Sequence, residues 1–279
     1  MAGIGTARLH VRAALRLVRR HGLSPRRALE PLDERLVFVI GCPRSGTTFL
    51  AGAIGSLAGF ADLGEVAPLK AAIPELDRLP TDVAARRIRG ILTLVRRLGL
   101  IGGRRAVEQT PETVFVAAAA GAAFPQAGFV HIIRDGRDVV CSLLDRGWLR
   151  AGRGGGDDAG LPYGPDARFW VEPGQAEDFS AASDARRAAW AWRRYVSAAS
   201  SAPAGRVREV RYELLSTDPD AVAGDLAEFL GVPAGPLADA LRNAHGASVG
   251  RWQRDLSADE LAEVEAECGE LLSKLGYLR

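Results

Sequence analysis

The run Leu36-Val37-Phe38-Val39-Ile40 leads without a polar break into Gly41-Cys42-Pro43-Arg44-Ser45-Gly46-Thr47-Thr48, and this junction constrains the fold more than any other segment. Five consecutive apolar residues suit a strand buried on both faces, the condition of a parallel sheet. The turn that follows opens an apolar helix reaching about Leu57. A strand, loop and helix in this order gather backbone N–H groups and the positive end of a helix dipole around one point, where a phosphate can sit. Position 47 carries a lysine in nucleotide-triphosphate hydrolases; here it is Thr47, and the nearest cation is Arg44. Without a lysine to reach β- and γ-phosphates, a shorter phosphate ester or anhydride fits better than a triphosphate.

Further strands are expected at Phe129–Ile133 and at Val207–Val210, with a weaker one near Ala106–Val107, and helical patterns lie between them. Thr110 before Pro111 and Asp218 before Pro219 read as helix starts, and Ser257 with Glu260 reads as a capping box. Strands alternating with helices predict an α/β, P-loop-containing three-layer fold, with a mostly parallel central sheet covered by helices. Ligands of such sheets gather beyond the carboxyl ends of the strands. The stretch 151–180 departs from the alternation: it is rich in Gly, Asp and Pro and carries Tyr163, Phe169 and Trp170. A long irregular segment of this kind is expected to be a lid, a binding loop or disordered.

One strand end repeats the logic of the first. His131-Ile132-Ile133-Arg134 runs into Asp135-Gly136-Arg137-Asp138 and a helix bearing Cys141 and Ser142. A guanidinium at a strand's carboxyl end can pair with a phosphate in bidentate fashion, and Ser142 can point back from the helix to the same group. Arg137 and Asp138 are expected to form ion pairs that tie the turn, and His131 to be a core residue.

With 36 basic and 34 acidic residues the formal charge is +2, too small to make nucleic acid the expected partner. Three cysteines and four histidines show no metal-ligand spacing, so no metal is expected, and the thiols suit a cytoplasmic setting. No apolar stretch is long enough to span a bilayer. Near the N-terminus, Leu9, Val11, Ala14, Leu15, Leu17 and Val18 are expected to line one face of a helix opposite Arg12, Arg16, Arg19 and Arg20. That helix is expected to pack on the domain rather than to contact a membrane.

Together the two motifs resemble those of sulfotransferases that use 3′-phosphoadenosine-5′-phosphosulfate (PAPS), in particular bacterial members, with features similar to the tyrosylprotein enzymes. Pro43 to Thr48 resembles the family's 5′-phosphosulfate loop, and Arg134 to Ser142 its 3′-phosphate motif. Glu108-Gln109-Thr110-Pro111, Arg211-Tyr212-Glu213-Leu214, Phe229-Leu230-Gly231 and Gly250-Arg251-Trp252 extend the likeness. Residues 1–35 read as an N-terminal basic helical segment, and the resemblance implies a sulfotransferase domain over 36–279, with a flexible substrate loop at about 150–182. It implies sulfuryl transfer from PAPS to a hydroxyl or amine of a small-molecule acceptor, such as a natural product or carbohydrate, leaving adenosine 3′,5′-bisphosphate. Arg44, Ser45, Gly46, Thr47 and Thr48 would then hold the 5′-phosphosulfate, with Arg44 stabilising charge on the transferring group. Arg134 and Ser142 would hold the 3′-phosphate, Tyr212 would lie near the adenine, and Gly250, Arg251 and Trp252 would close over the nucleotide.

The histidine that many cytosolic members use as base is missing, and Pro111 stands at the matching place. Gly64-Glu65 resembles the Gly-Glu of tyrosylprotein and bacterial members, which implies Glu65 as the catalytic base. Glu108 and Glu112 are the substitutes and His245 a remote one, while Gln109 stands where relatives often carry lysine. Two other readings fit the residues: a P-loop kinase of a small molecule with Asp135 on magnesium, and a nucleotide-binding module without catalysis.

Overall fold

The computed structural model describes residues 2–244 and 246–278, with side chains from residue 5 onward. His245 lies outside the described residues. Five strands, β1 (Val37–Ile40), β2 (Phe60–Gly64), β3 (Arg105–Glu108), β4 (Gly128–Ile133) and β5 (Val207–Arg211), form one sheet in the order β2-β3-β1-β4-β5. Every pairing is parallel. The apolar run of the sequence is therefore the central strand, and all four residues of β1 are buried. Phe38 and Ile40 pack into one layer, Val37 and Val39 into the other.

The helices before β3 are α1 (Ala2–His21), α2 (Pro25–Leu29), α3 (Thr47–Gly55), α4 (Ala67–Leu76) and α5 (Thr81–Leu98). Next come α6 (Ala117–Ala123), α7 (Gly136–Arg146), α8 (Ala176–Ala181) and α9 (Asp184–Ala198). After β5 follow α10 (Tyr212–Thr217), α11 (Pro219–Leu230), α12 (Ala234–Leu241), α13 (Trp252–Asp255) and α14 (Ala258–Lys274). One layer takes its apolar side chains from α3, α11 and α12, the other from α1, α4 to α7, α9 and α14. The three-layer α/β arrangement is the one expected, with the sheet wholly rather than mostly parallel.

The strand β2 at the sheet edge is not apparent in the sequence, because Phe60-Ala61-Asp62-Leu63-Gly64 has a buried acid at its centre. The Asp62 carboxylate accepts from Gly64 N at 2.7 Å and pairs with Arg20 of α1 at 2.5 Å, so it is satisfied inside the fold. Helix α1 packs on α4 and α5 through His10, Ala13, Ala14 and Leu17. Its buried stripe is narrower than expected: Val11 and Leu15 are 54% and 51% exposed, because they lie to one side of the 10-13-14-17 row. No helix among the described residues is long and apolar enough to cross a membrane.

The caps at Asp218 and Ser257 form as expected, the second as a complete capping box with Glu260. Thr110 differs. It precedes a 3-10 turn over Pro111–Val116, and its hydroxyl makes no cap; it accepts instead from Val66 N at 2.9 Å, joining that turn to the start of α4. All three cysteines are free and buried.

Candidate active site

The carboxyl ends of β1, β4 and β5 converge on one cavity of 360 Å³, lined by Arg44, Gly46, Thr47, Thr48, Arg134, Ser142, Tyr212 and Arg251 among others. Gly46 is the N-cap of α3 at φ +97°, and a Cβ there would come within 2.7 Å of the Tyr212 ring. Only glycine allows both that turn and that approach. Arg44 also takes positive φ, +75°, a conformation that costs a non-glycine residue about 1–3 kcal/mol. Its Nε donates to Ser142 Oγ at 3.0 Å, joining the two motifs directly. Burial lowers the Arg44 pKa, and Arg146 and Arg134 add to the effect.

Arg134 is buried and does several things at once. It donates to the carbonyls of Arg44, at 3.2 Å, and of Ser248, and lies 3.7 Å from Asp138. Its guanidinium sits 4.4 Å from the centre of the Tyr212 ring. Two buried polar atoms here, Arg134 Nε and Ser45 Oγ, have no protein partner. Buried donors in a folded protein are nearly always paired, so a cationic N–H and a hydroxyl left over beside a helix N-terminus fit an anionic ligand. Thr48 Oγ1 donates to Gln109 Oε1 at 3.4 Å.

The 250–252 segment enters this site unevenly. Arg251 lines the cavity and pairs with Asp145 and Asp255 at 2.8 and 2.6 Å. Gly250 and Trp252 do not line it; their amides donate to the Asp138 carboxylate at 2.8 and 3.1 Å, and the Trp252 ring lies under the Arg137 guanidinium. Asp138 thereby fastens the C-terminal segment to α7. Arg137 pairs with Asp135 at 2.8 Å, as expected for the turn.

A second cavity, of 240 Å³, opens where the same loop continues backwards through Pro43 and Cys42. Its walls carry Trp148, Tyr163, Phe169, Trp170 and Tyr195, and its polar groups include Glu65, Lys70, Glu112 and Asp157. The aromatic residues of the long irregular segment thus serve both as packing and as lining: Trp170 is buried against Phe179 and Tyr195, and Phe169 meets Phe115 edge-on. Glu65 lies between β2 and α4, ahead of the helix rather than in its first turn, and its carboxylate accepts from Lys70 Nζ at 2.9 Å. Glu112 reaches the same cavity, 3.7 Å from Lys70, and accepts from the Tyr195 hydroxyl at 3.2 Å. Burial pushes its pKa up to about 7, with Lys70 pulling the other way. Glu108 does not line either cavity. Its carboxyl is turned onto its own chain, accepting from Thr110 N and Thr113 Oγ1 at 2.7 and 3.0 Å, and full burial raises it to about 8. His131 is buried in β4, which lowers its pKa to about 4.

Lys70, Asp157 and Tyr195 are members of this second site that sequence reasoning passes over. A signal for the first is present: Lys70 is one of only two lysines in a chain that otherwise uses arginine. Lysine and arginine differ in geometry, so an isolated lysine inside an apolar helical pattern marks a place where a compact charge is needed. Tyr195 gives no such signal, being one aromatic among several on the apolar face of α9.

A parallel sheet whose central strand feeds a phosphate-binding loop defines a P-loop-containing fold. Within that class the chain belongs to the sulfotransferase family, whose model matches residues 80–236 and so includes the Arg134–Ser142 segment. The phosphate loop precedes the matched region. Among solved structures, the chain is similar to a sulfotransferase domain from the curacin biosynthetic pathway, with a TM-score of 0.55 and 15% identity over 86% of this chain and 98% of that one. It is also similar to the sulfotransferase STF1 from Mycobacterium tuberculosis, with a TM-score of 0.50 and 16% identity over 92% and 81% of the two chains. A third is mouse sulfotransferase SULT7A1 complexed with PAP, with a TM-score of 0.50 and 14% identity over 88% of each. At these identities the likeness concerns the fold. No protein of curated function matches the sequence.

Proposed function

We propose that the chain is an enzyme that transfers the sulfuryl group of PAPS to a hydroxyl or amine of a small-molecule acceptor, releasing adenosine 3′,5′-bisphosphate. The observation that carries this reading is the pair of cavities lined by consecutive residues of one loop: Cys42 and Pro43 face an apolar chamber, while Arg44, Gly46, Thr47 and Thr48 face a cationic one. A donor anion and an uncharged acceptor need those two environments, side by side.

In this reading the backbone of Ser45 to Thr48 and the Thr47 and Thr48 hydroxyls hold the 5′-phosphosulfate, and Arg134 with Ser142 holds the 3′-phosphate. Tyr212 and Arg251 border the nucleoside, and Gly250 and Trp252, fastened to Asp138, hold the segment that carries Arg251. The acceptor oxygen or nitrogen bonds to sulfur as the bond from sulfur to the phosphate oxygen breaks. Charge grows on that leaving oxygen, and Arg44 is placed to stabilise it. The acceptor proton goes to Glu65, which lines the chamber together with Pro43. The acceptor is a small molecule of natural-product or carbohydrate type that the chamber can surround, and three unpaired cysteines suit a cytoplasmic setting.

Kinase chemistry with Asp135 on magnesium is disfavoured by the engagement of both Asp135 oxygens with Arg137, at 3.1 and 2.8 Å. The deciding experiment incubates the protein with PAPS and a panel of alcohols, phenols and amines, in chelator and in magnesium, and follows adenosine 3′,5′-bisphosphate by mass spectrometry. Turnover in chelator supports the reading. Bisphosphate binding without turnover on any acceptor would make the chain a nucleotide-binding module, and stabilisation by magnesium ATP alone would make it a kinase.

A further inference from the structure

Lys70 stands between two carboxylates from different parts of the chain. Its Nζ lies 2.9 Å from Glu65 Oε2, at the end of β2, and 2.9 Å from Asp157 Oδ2, in the irregular segment after α7. The lysine and aspartate side chains are only 11% and 15% exposed, against 38% for Glu65. Burial disfavours the ammonium, but Glu112 and Glu65 outweigh it and raise the Lys70 pKa above its usual range. Asp157 also organises the tip of its own segment: Oδ1 accepts from Ala159 N and Leu161 N, both at 2.9 Å, beside a bridge between Gly156 and Pro162. A weaker copy of the arrangement lies next to it, where Arg16 of α1 donates to the Glu65 carbonyl at 3.1 Å and pairs with Asp158 at 3.5 Å. Adjacent aspartates of one segment are thus held by two cations, each of which also holds Glu65.

We infer that Lys70 is a positioning residue that fixes the Glu65 carboxylate and the acceptor segment, through Asp157, in a single arrangement. Tyr163, Arg168, Phe169 and Trp170 of that segment form the chamber wall. Seating the wall and aiming the base are then one event, which limits proton transfer to an acceptor that the chamber has enclosed. The part of this inference that concerns the base rests on the proposed sulfuryl transfer; the coupling itself does not.

The coupling has a signature that a packing role lacks. With both carboxylates 2.9 Å from one nitrogen, they lie within about 6 Å of each other, where like charges repel unless a cation separates them. Asp157→Asn in the wild-type background removes an attraction and lowers Tm by about 2–4 °C. In a Lys70→Met background the same substitution removes a repulsion and raises Tm. Lys70→Arg keeps the charge and restores the first sign. Hydrogen exchange follows the same order: Lys70→Met exposes the amides of 157–163 several-fold faster than wild type, and Lys70→Arg brings them back. With an acceptor that the wild type turns over, Lys70→Met lowers kcat while the donor KM stays put, and Lys70→Arg recovers most of it. Should Lys70→Met not fold, Asp157→Asn alone decides, by speeding exchange at 64–69 as well as at 157–163. An effect of Asp157→Asn with the same sign in both backgrounds, or exchange confined to 157–163, overturns the inference. Adenosine 3′,5′-bisphosphate affinity, read in parallel by calorimetry, isolates the other failure: a wild type that does not bind it sinks the proposed function and leaves the stability cycle to be judged separately.

Discussion

Replacing Arg134 by alanine tests the cavity proposed for the nucleotide at the residue with the most at stake. The guanidinium is buried, spans from the Arg44 carbonyl to that of Ser248, stacks on Tyr212 and keeps Nε free for a ligand. A charge-assisted pair with a phosphate, lost from a buried position, costs about 2–4 kcal/mol of binding. That corresponds to roughly a 30- to 700-fold rise in Kd. Ser142→Ala removes a single hydroxyl and is expected to cost about 1 kcal/mol, or roughly fivefold. Because Ser142 also accepts from Arg44 Nε, part of that loss comes from a less fixed Arg44. The assay is titration calorimetry with adenosine 3′,5′-bisphosphate, on variants whose melting curves show a folded state. The Arg134 variant is expected to melt lower, since two carbonyls lose their donor. Wild-type affinity in Arg134→Ala would remove the second motif from the site and refute the placement of the 3′-phosphate.

Three further outcomes are expected. Glu65→Gln binds adenosine 3′,5′-bisphosphate like wild type and loses about 10²- to 10⁴-fold in turnover, with Glu112→Gln as the control; a larger loss in the control moves the base to Glu112. Arg44→Ala depresses kcat more than nucleotide affinity, because its charge matters most as the leaving oxygen becomes negative, and an unchanged kcat at saturating PAPS contradicts that role. The stability contributed by Glu108 and Glu112 falls as pH rises from 4.5 to about 8: burial raises the two groups to about 8 and 7, so the contribution is complete below the ordinary carboxylate pKa of 4.5 and gone once the folded groups have ionised. Buried His131, lowered to about 4, acts oppositely and loses its contribution as pH falls below its ordinary 6.5; Glu108→Gln should flatten the fall in Tm between the ordinary His131 value of 6.5 and the Glu108 value of about 8, and an unaltered pH profile would show that Glu108 is not the source.

What was legible in the sequence is what local physics dictates. Five apolar residues before a glycine turn suit a strand buried on both faces, and four of them form the central strand of the sheet. Arg134 at the end of a similar run was readable for the same reason, as was the capping box at Ser257, which depends on four neighbouring residues. Strand β2 was hidden because Asp62 looks like a surface residue until Arg20, some forty positions away, is placed against it. The second cavity was hidden more deeply, since Lys70, Asp157 and Tyr195 come from three separate segments that only the fold brings together. The Thr110 cap misled for a related reason: its hydroxyl had a choice between the local turn and Val66 N, and the distant donor prevailed.

A structure of the complex with adenosine 3′,5′-bisphosphate tests the central claim most directly. The account predicts the 5′-phosphate against the amides of Ser45 to Thr48, the 3′-phosphate on Arg134 and Ser142, and Glu65 facing the 5′-phosphate across Pro43. A bisphosphate bound outside this cavity, or with its two phosphates exchanged between the motifs, would contradict it.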